Sequence, residues 1–230
     1  MYKFIWLCIL LVSCSSLSKS ISERDYKQIE LFLEQGYDVN KGDFFGYPLL
    51  KAVTIQDMAL IIKLLDNGAD INIKNGSGQT ALYIAVSKGN KSIVRYLLER
   101  KADPHILTVY KMSPFVKAVE SVYKNDFEII DIFLENGYDI NNTDASFTAL
   151  TMAVREREPL IVKYLLGKGA DPNLKSRNGI IPLKDATRTY IAFKNNINIY
   201  RSTPESRKDV ADRMAVIISL LKQYGAKDIE

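Results

Sequence analysis

The sequence predicts an all-α repeat solenoid, a stack of helix–turn–helix units joined by hairpin loops, and three observations predict it. A short motif, GADIN at Gly68–Asn72, returns as KADPH (Lys101–His105), GYDIN (Gly137–Asn141) and GADPN (Gly169–Asn173); GYDVN (Gly36–Asn40) precedes the series and GAKD (Gly225–Asp228) ends it. A second anchor keeps step with the first. YPLLKA, TALYIA, SPFVKA, TALTMA and IPLKDA place their second residue at 48, 81, 114, 149 and 182, at intervals of 33, 33, 35 and 33. Between the anchors, apolar residues fall at helical spacing on one side, as at Ile61, Leu64 and Leu65 and again at Ile93, Val94, Leu97 and Leu98. Self-similarity at such a period means that each unit has an apolar face on both sides and folds only against its neighbours.

Each element of the unit has its own signal. Pro48, Pro114 and Pro182 occupy a first helical position, where a missing N–H removes no bond. Thr80, Ser113 and Thr148 stand one residue earlier, where a hydroxyl caps the first turn. Ala52, Ala85, Ala118, Ala153 and Ala186 keep one side of the first helix small, so neighbouring first helices can approach closely. The striped second helix then ends at Gly68, Gly137 or Gly169, in the left-handed conformation that glycine adopts freely. Lys101 takes that position in one copy, at a cost of about 1 kcal/mol.

This pattern resembles the ankyrin repeat, whose signature is T-P-L-H-x-A at a period of 33. Five registered copies carry the resemblance over nearly all of the chain beyond the first twenty residues. One departure is general: the fourth signature residue is Leu50, Tyr83, Val116, Thr151 or Lys184, so the family's histidine is absent and its hydrogen bonds must be replaced or lost. The expected organisation is an N-terminal capping half-repeat at 21–42, four repeats at 43–174 and a C-terminal capping repeat at 175–230. Pro114 to Gly137 spans three residues more than Pro48 to Gly68, which lengthens the first helix or the loop near Glu120–Asn125. The last unit carries an insertion near 188–208; Thr203-Pro204 then starts a closing helix whose buried face is Val210, Met214, Ile217 and Leu221.

Residues 1–13 read as a signal peptide. Lys3 is followed by an unbroken apolar run from Phe4 to Val12, too short to cross a bilayer, which takes about 20 helical residues. Leu11-Val12-Ser13-Cys14 resembles the lipobox of bacterial lipoproteins. That resemblance implies cleavage before Cys14, acylation of Cys14, and a lipid-anchored protein of the bacterial envelope, with the outer membrane favoured because Ser15 rather than Asp follows the cysteine. Two or more acyl chains hold a protein on a membrane effectively permanently. Residues 14–20 are then expected to be a tether. Cys8 leaves with the signal, so the mature chain has no free thiol, which suits an oxidising compartment.

Composition limits the chemistry. The chain has 230 residues, 47% apolar and 25% charged, with a formal net charge of +4. That balance fits a folded monomer and gives no ground for a nucleic-acid partner. The single histidine, His105, lies in the Asn slot of the repeat ending and excludes any mechanism needing two imidazoles. No phosphate-binding glycine motif is present, and the stretch from Asp70 departs from a calcium loop at Lys74 and Ala81. The expectation is therefore a binding module with no catalytic, cofactor or metal site. The ankyrin resemblance implies a protein partner held on the concave side, by hairpin tips and first-helix ends. Mapped here, the candidates are Phe44, Phe45, Tyr47, Gln79, Tyr110, Met112 and Phe147 at the hairpins, with Lys88 and Arg155 at helix ends. Other readings are an accessory protein that positions an envelope enzyme, and a cytosolic adaptor whose first residues are not a signal.

Overall fold

The computed structural model describes residues 16–44, 46–122, 126–195 and 204–227. Among them the regular structure is helical, apart from one isolated β-bridge between Asp43 and Gly46. The chain divides into two compact units, Met1–Asp103 and Pro104–Glu230.

The first unit contains α1 (Leu17–Glu23), α2 (Tyr26–Glu34), α3 (Pro48–Thr54), α4 (Met58–Asp66), α5 (Ala81–Ser87) and α6 (Lys91–Glu99). These are three antiparallel pairs in register with the repeat. The first helices α1, α3 and α5 pack side by side, and α2, α4 and α6 follow as their partners. Ala52 and Ala85 are fully buried where first helices meet, and Ile61, Leu64, Ile93, Val94 and Leu97 fill the space behind them. Thr80 caps α5 by accepting from the Tyr83 N–H at 3.3 Å. The second helices have caps of their own, at Asp25, Asp57 and Asn90, each accepting from the N–H three residues on.

Two expectations about the N-terminal end are corrected here. Residues 17–20 are not tether, and the first cap is not a half-repeat beginning at 21: Ser16 caps a complete first helix, α1, through the Lys19 N–H. Leu17 and Ile21 are fully buried, and Ser18 and Ser20 are buried beside them. Serine serves here as alanine does in α3 and α5, being small enough for close helix approach. The Ser18 hydroxyl is satisfied by donating to the Gly46 carbonyl at 2.7 Å. The segment expected to be a signal peptide, residues 1–13, and Cys14 after it lie outside the described residues.

The second unit contains α7 (Pro114–Glu120), α8 (Glu128–Glu135), α9 (Ala149–Glu156), α10 (Pro159–Gly167), α11 (Pro182–Lys194) and α12 (Pro204–Gln223). Ser113 and Thr148 cap α7 and α9 as expected, accepting from Val116 and Thr151 at 3.2 and 3.1 Å. The extra residues after Pro114 lengthen the connection rather than the helix, since α7 has seven residues like α3 and α5. The insertion of the last repeat extends helices: α11 has 13 residues and α12 has 20. Pro204 begins α12, while Thr203 lies outside the described residues. On α12, Met214, Ile217 and Leu221 are fully buried, but Val210 is half-buried and Ala211 takes the buried position. The spacing 211, 214, 217, 221 keeps one face inward where 210 starts to turn away.

Left-handed residues close the second helices where the repeat requires them, at Gly68 (φ 85°), Gly137 (φ 80°) and Gly169 (φ 93°). Lys101 adopts the same conformation, with φ 65°.

Candidate functional site

The hairpins between repeats follow a common backbone design. In Asn75–Gln79, Thr108–Met112 and Ser176–Ile180 the first residue's N–H donates to the fifth residue's carbonyl, at 3.1, 3.0 and 2.9 Å. The first side chain also accepts from the fifth N–H, at 3.0, 3.2 and 3.2 Å. The fourth residue is left-handed in each: Gly78, Lys111 and Gly179. This closure turns the second and third residues outward. They are Gly76-Ser77, Val109-Tyr110 and Arg177-Asn178. The hairpin Asp43–Gly46 is shorter, closed by a reciprocal pair of backbone bonds at 3.1 and 2.9 Å, and it turns Phe44 outward.

Two of the candidates are therefore displayed by backbone geometry. Phe44 is 98% exposed and Tyr110 is 79% exposed, with Val109 beside it at 57%. Phe45 lies outside the described residues. The other expected tips are turned in. Tyr47 is half-buried and lies against Gly42, where a Cβ would come within 2.7 Å of the ring. Gln79 is half-buried, its carbonyl oxygen accepting from the Asn75 amide at 3.0 Å. Met112, the closing residue of its hairpin, is half-buried. Phe147 is also half-buried, beneath the Arg155 guanidinium at 4.9 Å from the ring centre. Its loop lies down: Ala145 is buried and the Ser146 N–H donates to the Lys111 carbonyl at 2.9 Å.

The first-helix ends are charged. Lys88 is exposed at the end of α5. In the second unit, Lys117 bonds Glu120 at 2.8 Å, and Arg155 and Glu156 close α9. Burial, and then the negative charge of Glu120, hold the Glu156 carboxyl above its ordinary range. Burial likewise raises Asp185, with Arg188 and Arg155 opposing. In α7 and α9 these ends present charges rather than an apolar face. Among the described residues no group of three or more His, Cys, Asp or Glu could hold a metal ion, and no helix is long and apolar enough to cross a membrane.

The repeat endings carry a role that the motif alone did not disclose. The Asn40 amide donates to the Gly68 carbonyl at 2.9 Å and accepts from the Asp70 N–H at 2.7 Å, reaching into the next repeat. Asn141 does the same to Gly169 and Asp171, and Asn173 to Gly225 and Lys227. Asn72 accepts from the Asp103 N–H at 2.9 Å. Asparagine thus ties successive repeats where the signature histidine is missing. His105, in the equivalent slot, stacks on Tyr138 with ring centres 5.2 Å apart and sits 3.5 Å from the Asp144 carboxylate. The recurrence of Asn at the end of the motif was the signal for this ladder.

The family model for ankyrin repeats (3 copies) matches residues 17–108 and 101–176. An ankyrin repeat protein of fowlpox virus is 26% identical over 194 residues, covering 71% of this chain and 46% of that protein. An L-asparaginase of Dirofilaria immitis is 27% identical over 175 residues, 63% of this chain and 30% of that protein. The chain thus spans less than half the length of these two relatives. The solved ankyrin repeat domain of Bcl-3, a member of the IkappaB protein family, superposes with a TM-score of 0.71 at 19% identity; the match covers 93% of this chain and 87% of that one. That likeness is one of fold. The chain belongs to the ankyrin-repeat family, whose units generally mediate protein–protein interaction and are typically non-enzymatic.

Proposed function

We propose that this protein is a non-enzymatic binding module that captures a protein partner through its hairpin tips, and that it is held on a bacterial envelope membrane by acyl chains on Cys14. The observation that carries the binding reading is the exposure of Phe44 and Tyr110 on closed, hydrogen-bonded turns. A large exposed aromatic on a closed turn supplies contact area with little ordering cost on binding. Lys88, at the end of α5 in the first unit, and Arg155, at the end of α9 in the second, are candidate polar contacts of the unit each belongs to. A site-specific photocrosslinker at position 110, compared with one at the half-buried position 112, tests the reading. It requires a discrete adduct at 110 that is weak or missing at 112.

The membrane reading rests on the lipobox sequence at residues 11–14. Labelling cells with a palmitate analogue should tag the wild-type chain and leave Cys14→Ala untagged, uncleaved and absent from the membrane fraction. Identical labelling and fractionation of the two would end it. A second reading, a cytosolic adaptor, is favoured by the viral and animal origin of the two relatives, and under it Cys14→Ala changes nothing.

A further inference from the structure

We propose that the extended terminal helix pair, α11 and α12, carries a second docking groove, and that it takes an acidic segment of a partner protein, with carboxylates flanking an apolar side chain. The extension is not required by the repeat. First helices elsewhere in the chain have seven or eight residues, whereas α11 has 13, and α12 has 20. The added turns form a groove of about 440 Å³. Tyr190, Phe193 and Ala211 supply its apolar wall, and Lys194, Arg207 and Lys208 its rim. Asp212 is the one carboxylate in the lining.

Charge selects the occupant. The two helices contain seven lysines and arginines against four carboxylates, while the whole chain is only +4. Most of the positive excess of the protein therefore lies in this helix pair, and a segment of opposite sign is drawn to it. Arg213 is already engaged, with Glu158 at 2.5 Å and Asp209 at 3.1 Å. Cations also cover the rings: Lys194 Nζ lies 5.2 Å from the centre of Tyr190, and the Arg157 guanidinium 4.8 Å from that of Phe193. This arrangement disfavours a nucleic-acid base, which would have to displace a cation to stack. It suits carboxylates, because a cation steadied over a ring loses less freedom when it forms an ion pair. The groove has room for apolar side chains among those carboxylates, which a flat lipid surface does not offer.

Fluorescence anisotropy on the full chain tests this with a labelled peptide of about twelve residues in which Glu alternates with Leu, and with its Gln-for-Glu counterpart. The Glu peptide should bind at least about tenfold more tightly, and lose affinity as salt shortens the screening length below about 10 Å. Lys194→Glu, and Arg207→Glu with Lys208→Glu, should each weaken binding about tenfold with unchanged helix content by circular dichroism. Asp212→Asn should strengthen binding, a gain that a misfolded variant cannot produce. Equal affinity for both peptides overturns the proposal, as does indifference to the charge reversals. Binding of phosphatidylglycerol vesicles or a single-stranded oligonucleotide in place of the peptide also overturns it. The photocrosslinking at Tyr110 reads a different surface, so either result can fail alone.

Discussion

Lysines take positions that the repeat gives to glycine, and the cost is a conformational one. Lys101 has φ 65° where sibling repeats have Gly68, Gly137 and Gly169, and Lys111 has φ 58° where sibling hairpins have Gly78 and Gly179. A side chain in the left-handed region costs about 1 kcal/mol, so Lys101→Gly should stabilise the chain by up to about 1 kcal/mol despite the greater freedom of an unfolded glycine. A higher urea midpoint at unchanged slope checks this. A second residue-scale case is Asp131, which accepts from Lys168 at 2.7 Å and from the Tyr164 hydroxyl. Burial pushes its carboxyl up, but those two hydrogen bonds outweigh burial and hold it below the ordinary carboxylate range. On the same bond, burial and then Asp131 push Tyr164 up to about 12. A depressed carboxylate lends stability that is complete above its unfolded pKa, near 4, and is lost as pH falls through the folded value. Since the Asp131 side chain is 34% exposed, Asp131→Asn should cost only about 1 kcal/mol at pH 7. The two proteins should begin to converge as pH falls past about 4 and meet only below the folded pKa of Asp131. Urea titrations across that range show whether they do.

The helices differ in how openly the sequence announces them. Pro and Ser/Thr at fixed offsets mark α5, α7 and α9, because a cap uses one residue type at one position and so survives as a readable letter. The first helix, α1, was hidden. Its turns read LSKSISE, a polar stretch in which only Leu17 and Ile21 show an i, i+4 apolar spacing. Serine reads as solvent or tether until a neighbouring helix is present to need a small side chain. The hairpins were half legible. Their positions followed from the period, but which residues point outward depends on closure geometry, which turns out Val109-Tyr110 and lays Phe147 down under Arg155. The α1 assignment makes its own prediction. Leu17→Ala removes a fully buried side chain and should destabilise the chain by about 3 kcal/mol, lowering the thermal midpoint by about 10 °C. A tether residue at that position would leave both unchanged.

On the scale of the whole molecule, each unit is a run of helix pairs with no core apart from the surfaces between neighbours. The asparagine ladder in the loops and the alanine and serine stripe on the first helices fix the stacking. The exposed tip residues Phe44 and Tyr110 stand apart from those surfaces between neighbouring helices. That separation is the central claim, and paired measurements on Phe44→Ala and Tyr110→Ala test it directly: recovery of the crosslinked partner by the immobilised chain, and thermal unfolding of the same proteins. The account predicts capture weakened about fivefold or more by each change, equivalent to about 1 kcal/mol, with the unfolding midpoint moved by less than about 2 °C. Midpoints that fall by several degrees while capture stays at the wild-type level would contradict it, and would make both aromatics part of the fold.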